Sequence, residues 1–342
     1  MNARENALRV IRFDSPERVV GGPPVHNLCY LGCHHEGFAG GGHDCPVGSR
    51  WTDIWGTEWH KELDGVMGFP RGHPLAQVSA LAHYRWPDPK DERILAKLHR
   101  PSADGPPSFP GGDRFLAGQH RDTLWEKSYM LVGMENLMQY FHTERAFVRE
   151  VLGHIMDFQL GIATEYLRLG VEFVSLGDDL GTQQGPLLSP DIVAEFLLPQ
   201  YRRLFRLYKE HGVLIGFHCC GNLDSVTGMF LDLGVDVLNP IQVTANDLDQ
   251  IRERTQGKMA LAGAVSTVTI MAGPPDRIAA EVRERLWQLG KAGGYFCGPD
   301  QGLPFPKEHI DALGAAVEEF GRYPLRASWP LPEGNPSQGV VP

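Results

Sequence analysis

His218 and Cys220 stand two residues apart in Phe217-His-Cys-Cys-Gly-Asn222, and the apolar lead-in, residues 213–217, reads as a β-strand. Side chains alternate along a strand, so His218 and Cys220 share one face and Cys219 takes the other. Cys297 closes a later strand-like run and could converge on the same space. One imidazole and two thiolates form a three-ligand zinc set that leaves the fourth tetrahedral position to water or substrate, as catalytic zinc is held. A thiol bound there loses its proton and becomes a nucleophile at neutral pH. The competing reading is packing, with Cys220 and Cys297 as small buried fillers and His218 hydrogen-bonded at a strand end.

Two carboxylates follow another strand-like run in Leu176-Gly-Asp-Asp-Leu-Gly181. Asp178 is the candidate catalytic group, able to accept a proton, orient a substrate or supply the fourth metal ligand. Asp179 is a candidate substrate contact, and one of the pair could instead cap the loop. Gln242 and Ser266 end two further runs and are also candidate substrate contacts. Cys29, Cys33, His34, His35, His43 and Cys45 form a second thiol and imidazole cluster, whose Cys-x-x-x-Cys-His-His spacing would suit a metal in a small finger. Inside a glycine-rich loop of a larger enzyme it is expected instead to line the substrate pocket or meet solvent, with His35 as the substrate contact. Trp51, Trp55, Trp59 and Trp86 are expected to pack an N-terminal layer, although they would also suit a wide pocket for a flat macrocycle or aromatic substrate.

Positioning these groups falls to elements that the periodicity outlines. A charged helix is expected within residues 2–19 and a strand over 25–31. Residues 37–113 show many Pro, Gly and Trp and little periodicity. From residue 115 the pattern is regular: strands near 115–118, 172–177, 213–217, 235–238, 259–262 and 294–296 alternate with helices. The helix expected over 144–169 carries Phe147, Val151, Ile155, Phe158, Ile162 and Tyr166 on one stripe. Ser189-Pro190 is an N-cap followed by proline at the first helical position. Such alternation means parallel strands with crossover helices. With one more strand somewhere in 50–75 the count reaches eight, which close into a barrel more naturally than they form an open sheet. The expected fold is a single (β/α)8 TIM barrel with an N-terminal helical and irregular extension, over residues 1–323, followed by a Pro-rich tail over 324–342. The strand ends that carry the reactive residues would then form its mouth.

The chain has 342 residues, with 32 basic against 42 acidic side chains and a net charge of −10. That balance excludes a dedicated nucleic-acid binder, which needs a basic face for phosphates. With 22% charged and 42% hydrophobic residues, the composition is that of a folded protein. No window is apolar enough to span a bilayer, and residues 1–13 lack the apolar segment of a signal peptide. Six cysteines are too few for a disulfide scaffold at this length. A cytoplasmic location with no membrane partner is the expectation. No Gly-x-Gly-x-x-Gly turn supports a dinucleotide fold.

Residues 2–11, 177–190, 217–222, 234–242 and 293–298 together resemble the uroporphyrinogen decarboxylase superfamily. The resemblance implies a (β/α)8 barrel and either decarboxylation or cobalamin-linked methyl transfer. Decarboxylases of the superfamily carry an Arg-rich motif after the first strand, whereas residues 19–49 here contain neither Arg nor Lys. The chain is more similar to the branch of methylcobamide:coenzyme M methyltransferases, marked by a His-x-Cys pair and a distant Cys that bind zinc. His218, Cys220 and Cys297 match that pattern. What this resemblance implies is a Zn2+-dependent methyltransferase, moving a methyl group from a methylated corrinoid protein or another donor to a zinc-activated thiol. The corrinoid would reside on a partner protein, because no Asp-x-His-x-x-Gly segment is present to ligate cobalt. Relatives imply a monomer or homodimer. The alternative is a metal-independent decarboxylase acting on a less charged substrate, with Asp178 as acid/base group and His218 as its helper. A non-enzymatic corrinoid or tetrapyrrole carrier is the third reading.

Overall fold

The computed structural model describes residues 1–98 and 113–326. Ten strands occur among them: β1 (Val25–Leu28), β2 (Arg50–Thr52), β3 (Glu58–His60), β4 (Phe69–Gly72), β5 (Phe115–His120), β6 (Phe173–Gly177), β7 (Leu214–His218), β8 (Val237–Ile241), β9 (Ala260–Val265) and β10 (Tyr295–Pro299). Seven of these form one sheet in the order β1-β5-β6-β7-β8-β9-β10, with every neighbouring pair parallel. Parallel pairing requires crossovers, and helices supply them. Arg145–Leu169 precedes β6, Leu198–Glu210 precedes β7, Thr227–Leu233 precedes β8, Leu248–Thr255 precedes β9 and Pro275–Gly290 precedes β10.

Alternation along each strand sorts the side chains into two cores. Ile215 and Phe217 of β7 face the helices, where the Phe217 ring meets Phe205 at 5.8 Å and Phe230 at 4.7 Å. Each such buried aromatic contributes about 2–3 kcal/mol. On the other face Phe115, Phe173, Val237, Ala260, Ala262 and Phe296 form a smaller cluster near the strand starts. The helix Ala3–Arg12 seals that end with Ala7, Val10 and Ile11. Its Asn6 is buried, with Oδ1 accepting from the N–H groups of Glu17 and Arg18 while Nδ2 donates to the Arg18 carbonyl. The opposite, C-terminal strand ends are therefore the open ones.

The strand expected within 50–75 does not join this sheet. Three short strands there, β2, β3 and β4, form an antiparallel sheet of their own, and Trp51 stacks on Trp59 with ring centroids 6.2 Å apart. The turns between them are too short for a parallel crossover. Among the described residues the main sheet thus has seven strands rather than the eight of the expected closed barrel. Its two edges nonetheless approach through the chain ahead of β1, where Cys297 N donates to Val20 O at 2.9 Å. The segment ahead of Arg145–Leu169 forms two helices, Trp125–Val132 and Met134–Thr143, broken at Gly133 with φ 89°. The break lies where the N-terminal layer docks: Leu75 N donates to Leu131 O, and His73 Nδ1 to Met130 O. The region expected to be irregular includes residues 99–112, and the expected tail runs through 327–342; both stretches lie outside the described residues. Among the described residues no helix is long and apolar enough to cross a membrane.

Asn6→Ala should lower stability by about 2 kcal/mol, because it removes the partner of three backbone groups at once. Urea unfolding measures the loss, and an unchanged midpoint would show that the helix does not seal the sheet.

Candidate functional site

The open ends of β6, β7 and β8 lie in register, with Gly177 beside His218 and His218 beside Asn239. His218 ends β7 on the inner face, Cys219 turns out into the core, and Cys220 returns inward. The Cys219 thiol accepts from Leu180 N at 3.3 Å. Cys220 Sγ lies 3.3 Å from His218 Nε2, and Asp179 Oδ1 lies 3.7 Å from the same nitrogen. Asp179 Oδ1 also accepts from Cys220 N at 2.8 Å. Asp179, His218 and Cys220 thus bring a carboxylate, an imidazole and a thiol within 4.8 Å of one another. The loops that carry them touch backbone to backbone. A Cβ on Gly221 would sit 2.4 Å from the Gly181 carbonyl carbon, and Asn222 N donates to Thr182 O.

These three residues suit a zinc ion. Zinc bond lengths in a tetrahedral arrangement separate a sulfur from a nitrogen donor by about 3.6 Å and a nitrogen from an oxygen donor by about 3.4 Å. Asn239 Oδ1 lies 3.1 Å from His218 Nδ1, which directs that nitrogen's proton away and leaves Nε2 free to ligate. Gln301 Nε2 approaches Cys220 Sγ at 3.4 Å. Burial and the charge of Asp179 push the Cys220 thiol up to about 12, so a nearby cation is what would ionise it.

Cys297 and Asp178 lie outside this cluster. Cys297 is fully buried and shares its face of β10 with Tyr295, which packs beside Gly290 of the helix Pro275–Gly290. It therefore belongs to the core between sheet and helices, while Phe296 points inward. Among the described residues Cys297 joins no group of metal-binding donors. Gln301, beyond the strand end, is the residue from this part of the chain that reaches Cys220. Asp178 is fully buried and accepts from Leu124 N, Glu126 N and Tyr201 Oη at 2.7–2.8 Å, so it caps the helix Trp125–Val132 instead of lining the mouth. One residue of offset decides which carboxylate faces inward.

His35 is also turned away from solvent. Its ring lies 4.1 Å from that of Trp59, and its Nε2 lies 3.1 Å from Asp122 Oδ2. Burial, with the charges of Lys127 and Arg121, drives its pKa far down and keeps it neutral. Gln242 is buried and supports the Cys220 loop, accepting from Gly221 N at 2.9 Å and Gln183 Nε2 at 2.7 Å. Ser266 follows β9, and its N–H donates to Glu281 Oε1 of the helix Pro275–Gly290 at 2.8 Å. Trp55 and Trp59 are buried in the N-terminal layer.

Sequence reading missed Glu126. Its carboxyl is pushed up to about 9 by burial and by the charges of Asp122, Asp178 and Asp179, and it accepts from Tyr129 Oη at 3.0 Å. Perturbed acids of this kind concentrate at functional sites. Its position inside a helix does not signal it: Asp122 lies four residues upstream, but Asp178 and Asp179 come from the loop after β6, and burial, the largest cause, is set by the fold.

A family model described as uroporphyrinogen decarboxylase (URO-D) matches residues 125–320. Among solved structures, a methyltransferase from Methanosarcina mazei superposes with a TM-score of 0.63 at 18% identity, covering 94% of this chain and 99% of that one. A B12-independent methionine synthase from a Shewanella species, in complex with selenomethionine, aligns with a TM-score of 0.42 at 11% identity, covering 60% of this chain and 62% of that one. No curated protein matches the chain. The Methanosarcina likeness establishes a shared fold.

Glu126 leaves a signature in stability. In the unfolded chain it ionises near its ordinary 4.5, whereas in the fold it holds its proton to about 9. Between those values the folded chain binds more protons, so stability falls as pH rises. Asp178 acts with the same sign but is complete near 7, while Cys29, whose thiol is pulled down to about 5 chiefly by its contact with Cys33, acts with the opposite sign up to about 9. The Cys29 contribution is common to wild type and a Glu126 variant, so their difference between about pH 7 and 9 reads Glu126. Across that range the melting temperature of Glu126→Gln should climb relative to wild type as pH rises, and parallel curves in the two proteins would refute the assignment.

Proposed function

The chain belongs to the uroporphyrinogen decarboxylase family, and on that premise we propose that it is a zinc-dependent methyltransferase, carrying a methyl group from a methylated corrinoid protein or another donor to a thiol. The observation that carries this reading is the inward-facing cluster of Asp179, His218 and Cys220, with Asn239 orienting the imidazole. When bound, zinc supplies the positive charge that lets a thiol lose its proton near neutral pH and stay nucleophilic. The residues around it do the rest. Asp179 is fixed by the Cys220 N–H and lies close to His218, which gives the site three donors and leaves a fourth position for substrate. Gln301 donates to Cys220 Sγ, which steadies a thiolate there. Glu126, protonated at neutral pH, is a hydrogen-bond donor at the edge of the carboxylate group.

Substrate size follows from the space below His218. A cavity of ≈ 200 Å³ lies there, lined among others by Gly21, Gly22, Ser175, Gly216, Asn239 and Ala262. It admits a small aliphatic group and excludes a tetrapyrrole, so the corrinoid would act from the open mouth on its partner protein. The decarboxylase alternative relied on Asp178 as acid/base group, and that carboxylate is buried with three donors upon it.

Elemental mass spectrometry and methyl transfer from methylcobalamin to small thiols test the proposal together. Cys220→Ala should lose one equivalent of zinc and the transfer activity, while Cys297→Ala keeps both. Asn239→Ala should lower zinc affinity or activity about 10–100-fold. Transfer that survives Cys220→Ala, or zinc lost with Cys297, would overturn this reading.

A further inference from the structure

A second set of soft donors lies after β1. Cys29, Cys33 and His34 bring two thiols and an imidazole within 4.8 Å of one another. Cys29 Sγ is 3.5 Å from His34 Nε2, close to the edge of about 3.6 Å that a tetrahedral zinc imposes between sulfur and nitrogen donors. The loop is held in this shape by its own contacts. Glu36 Oε2 accepts from Gly32 N at 3.0 Å and His34 N at 2.9 Å, and Lys97 Nζ pairs with Oε1 of the same carboxylate at 3.0 Å. Cys33 N donates to Tyr30 O, and the Cys33 thiol to Gln119 O on neighbouring β5. A carboxylate that anchors the turn without being one of the donors is how outer residues orient metal ligands.

Exposure gives the cluster a direction. Cys33 is buried, while Cys29 and His34 are only half-buried. His34 lines a surface depression of ≈ 580 Å³ together with Glu36, His43, Asp44, Cys45 and Arg121. Two thiols with one imidazole select a borderline-soft ion over magnesium or calcium, which take oxygen ligands. We propose that Cys29, Cys33 and His34 bind a second zinc ion whose fourth position opens onto this depression. Both donor sets then lie at the C-terminal strand ends, one after β1 and one after β7. This site is independent of the methyltransferase reading, since it shares no residue with the His218 cluster.

The protein purified under reducing conditions should carry two zinc ions per chain by elemental mass spectrometry. Cys29→Ser combined with Cys33→Ser should remove one, and Cys220→Ser the other. Cobalt loaded into the Cys220→Ser chain reads the β1 loop with all its donors intact, and thiolate-to-cobalt charge-transfer absorption is expected. A Cys220→Ser chain that holds no metal, or whose zinc is indifferent to Cys29 and Cys33, overturns the proposal; so does a Cys29–Cys33 disulfide in place of metal. One zinc per wild-type chain, kept in Cys220→Ser and lost with Cys29 and Cys33, would support this site and refute the zinc centre at His218.

Discussion

The close approach of the loop after β6 to the loop after β7 is the constraint on which the site depends. Gly181 and Gly221 meet with no room for a Cβ between them, and Asn222 donates across the gap to Thr182. Glycine is required there because any side chain would push the loops apart. At this separation Asp179 can hold the Cys220 backbone and still face His218. Widening the gap would leave the imidazole and thiol as a pair with no carboxylate beside them.

Charge burial is the second organising effect. Asp122, Asp178 and Asp179 surround Glu126, and burial raises the pKa of Asp122, Asp178 and Glu126. Removing carboxylates from water disfavours their charged form, and each neighbouring charge adds to the cost. Protons are therefore retained within this group near neutral pH. Asp178 uses its position to hold the start of the helix Trp125–Val132, and that helix carries both Glu126 and the buried Lys127. One capping contact thus links the end of β6 to the acids around the mouth.

The N-terminal region builds the wall on the opposite side. Asp53 accepts from Trp55 N, Thr57 N and Trp59 Nε1, which folds the tight turn between β2 and β3. Trp59 then covers His35 and Trp55 packs on Phe158, so the tryptophans serve as structure. Both donor clusters are left on one end of the sheet, because the helix Ala3–Arg12 closes the other.

Local periodicity, which a sequence carries in full, settled the strands of the main sheet, the long helix Arg145–Leu169 and the pairing of His218 with Cys220. Alternation relates residues two apart wherever the strand sits, so that pair was readable before any fold was known. The absolute face of a strand is a different matter, because packing partners from distant segments choose it. Cys297 went with Tyr295 to the helical side, and Asp179 rather than Asp178 turned toward His218. The β2–β4 sheet and the break at Gly133 likewise arise from docking of the N-terminal layer onto the helices that flank the main sheet. Residue types and spacing determined which chemistry this chain could hold. Only the tertiary structure decided which carboxylate meets the imidazole and thiol, because that contact joins residues 41 positions apart on two loops through backbone packing that no local pattern records.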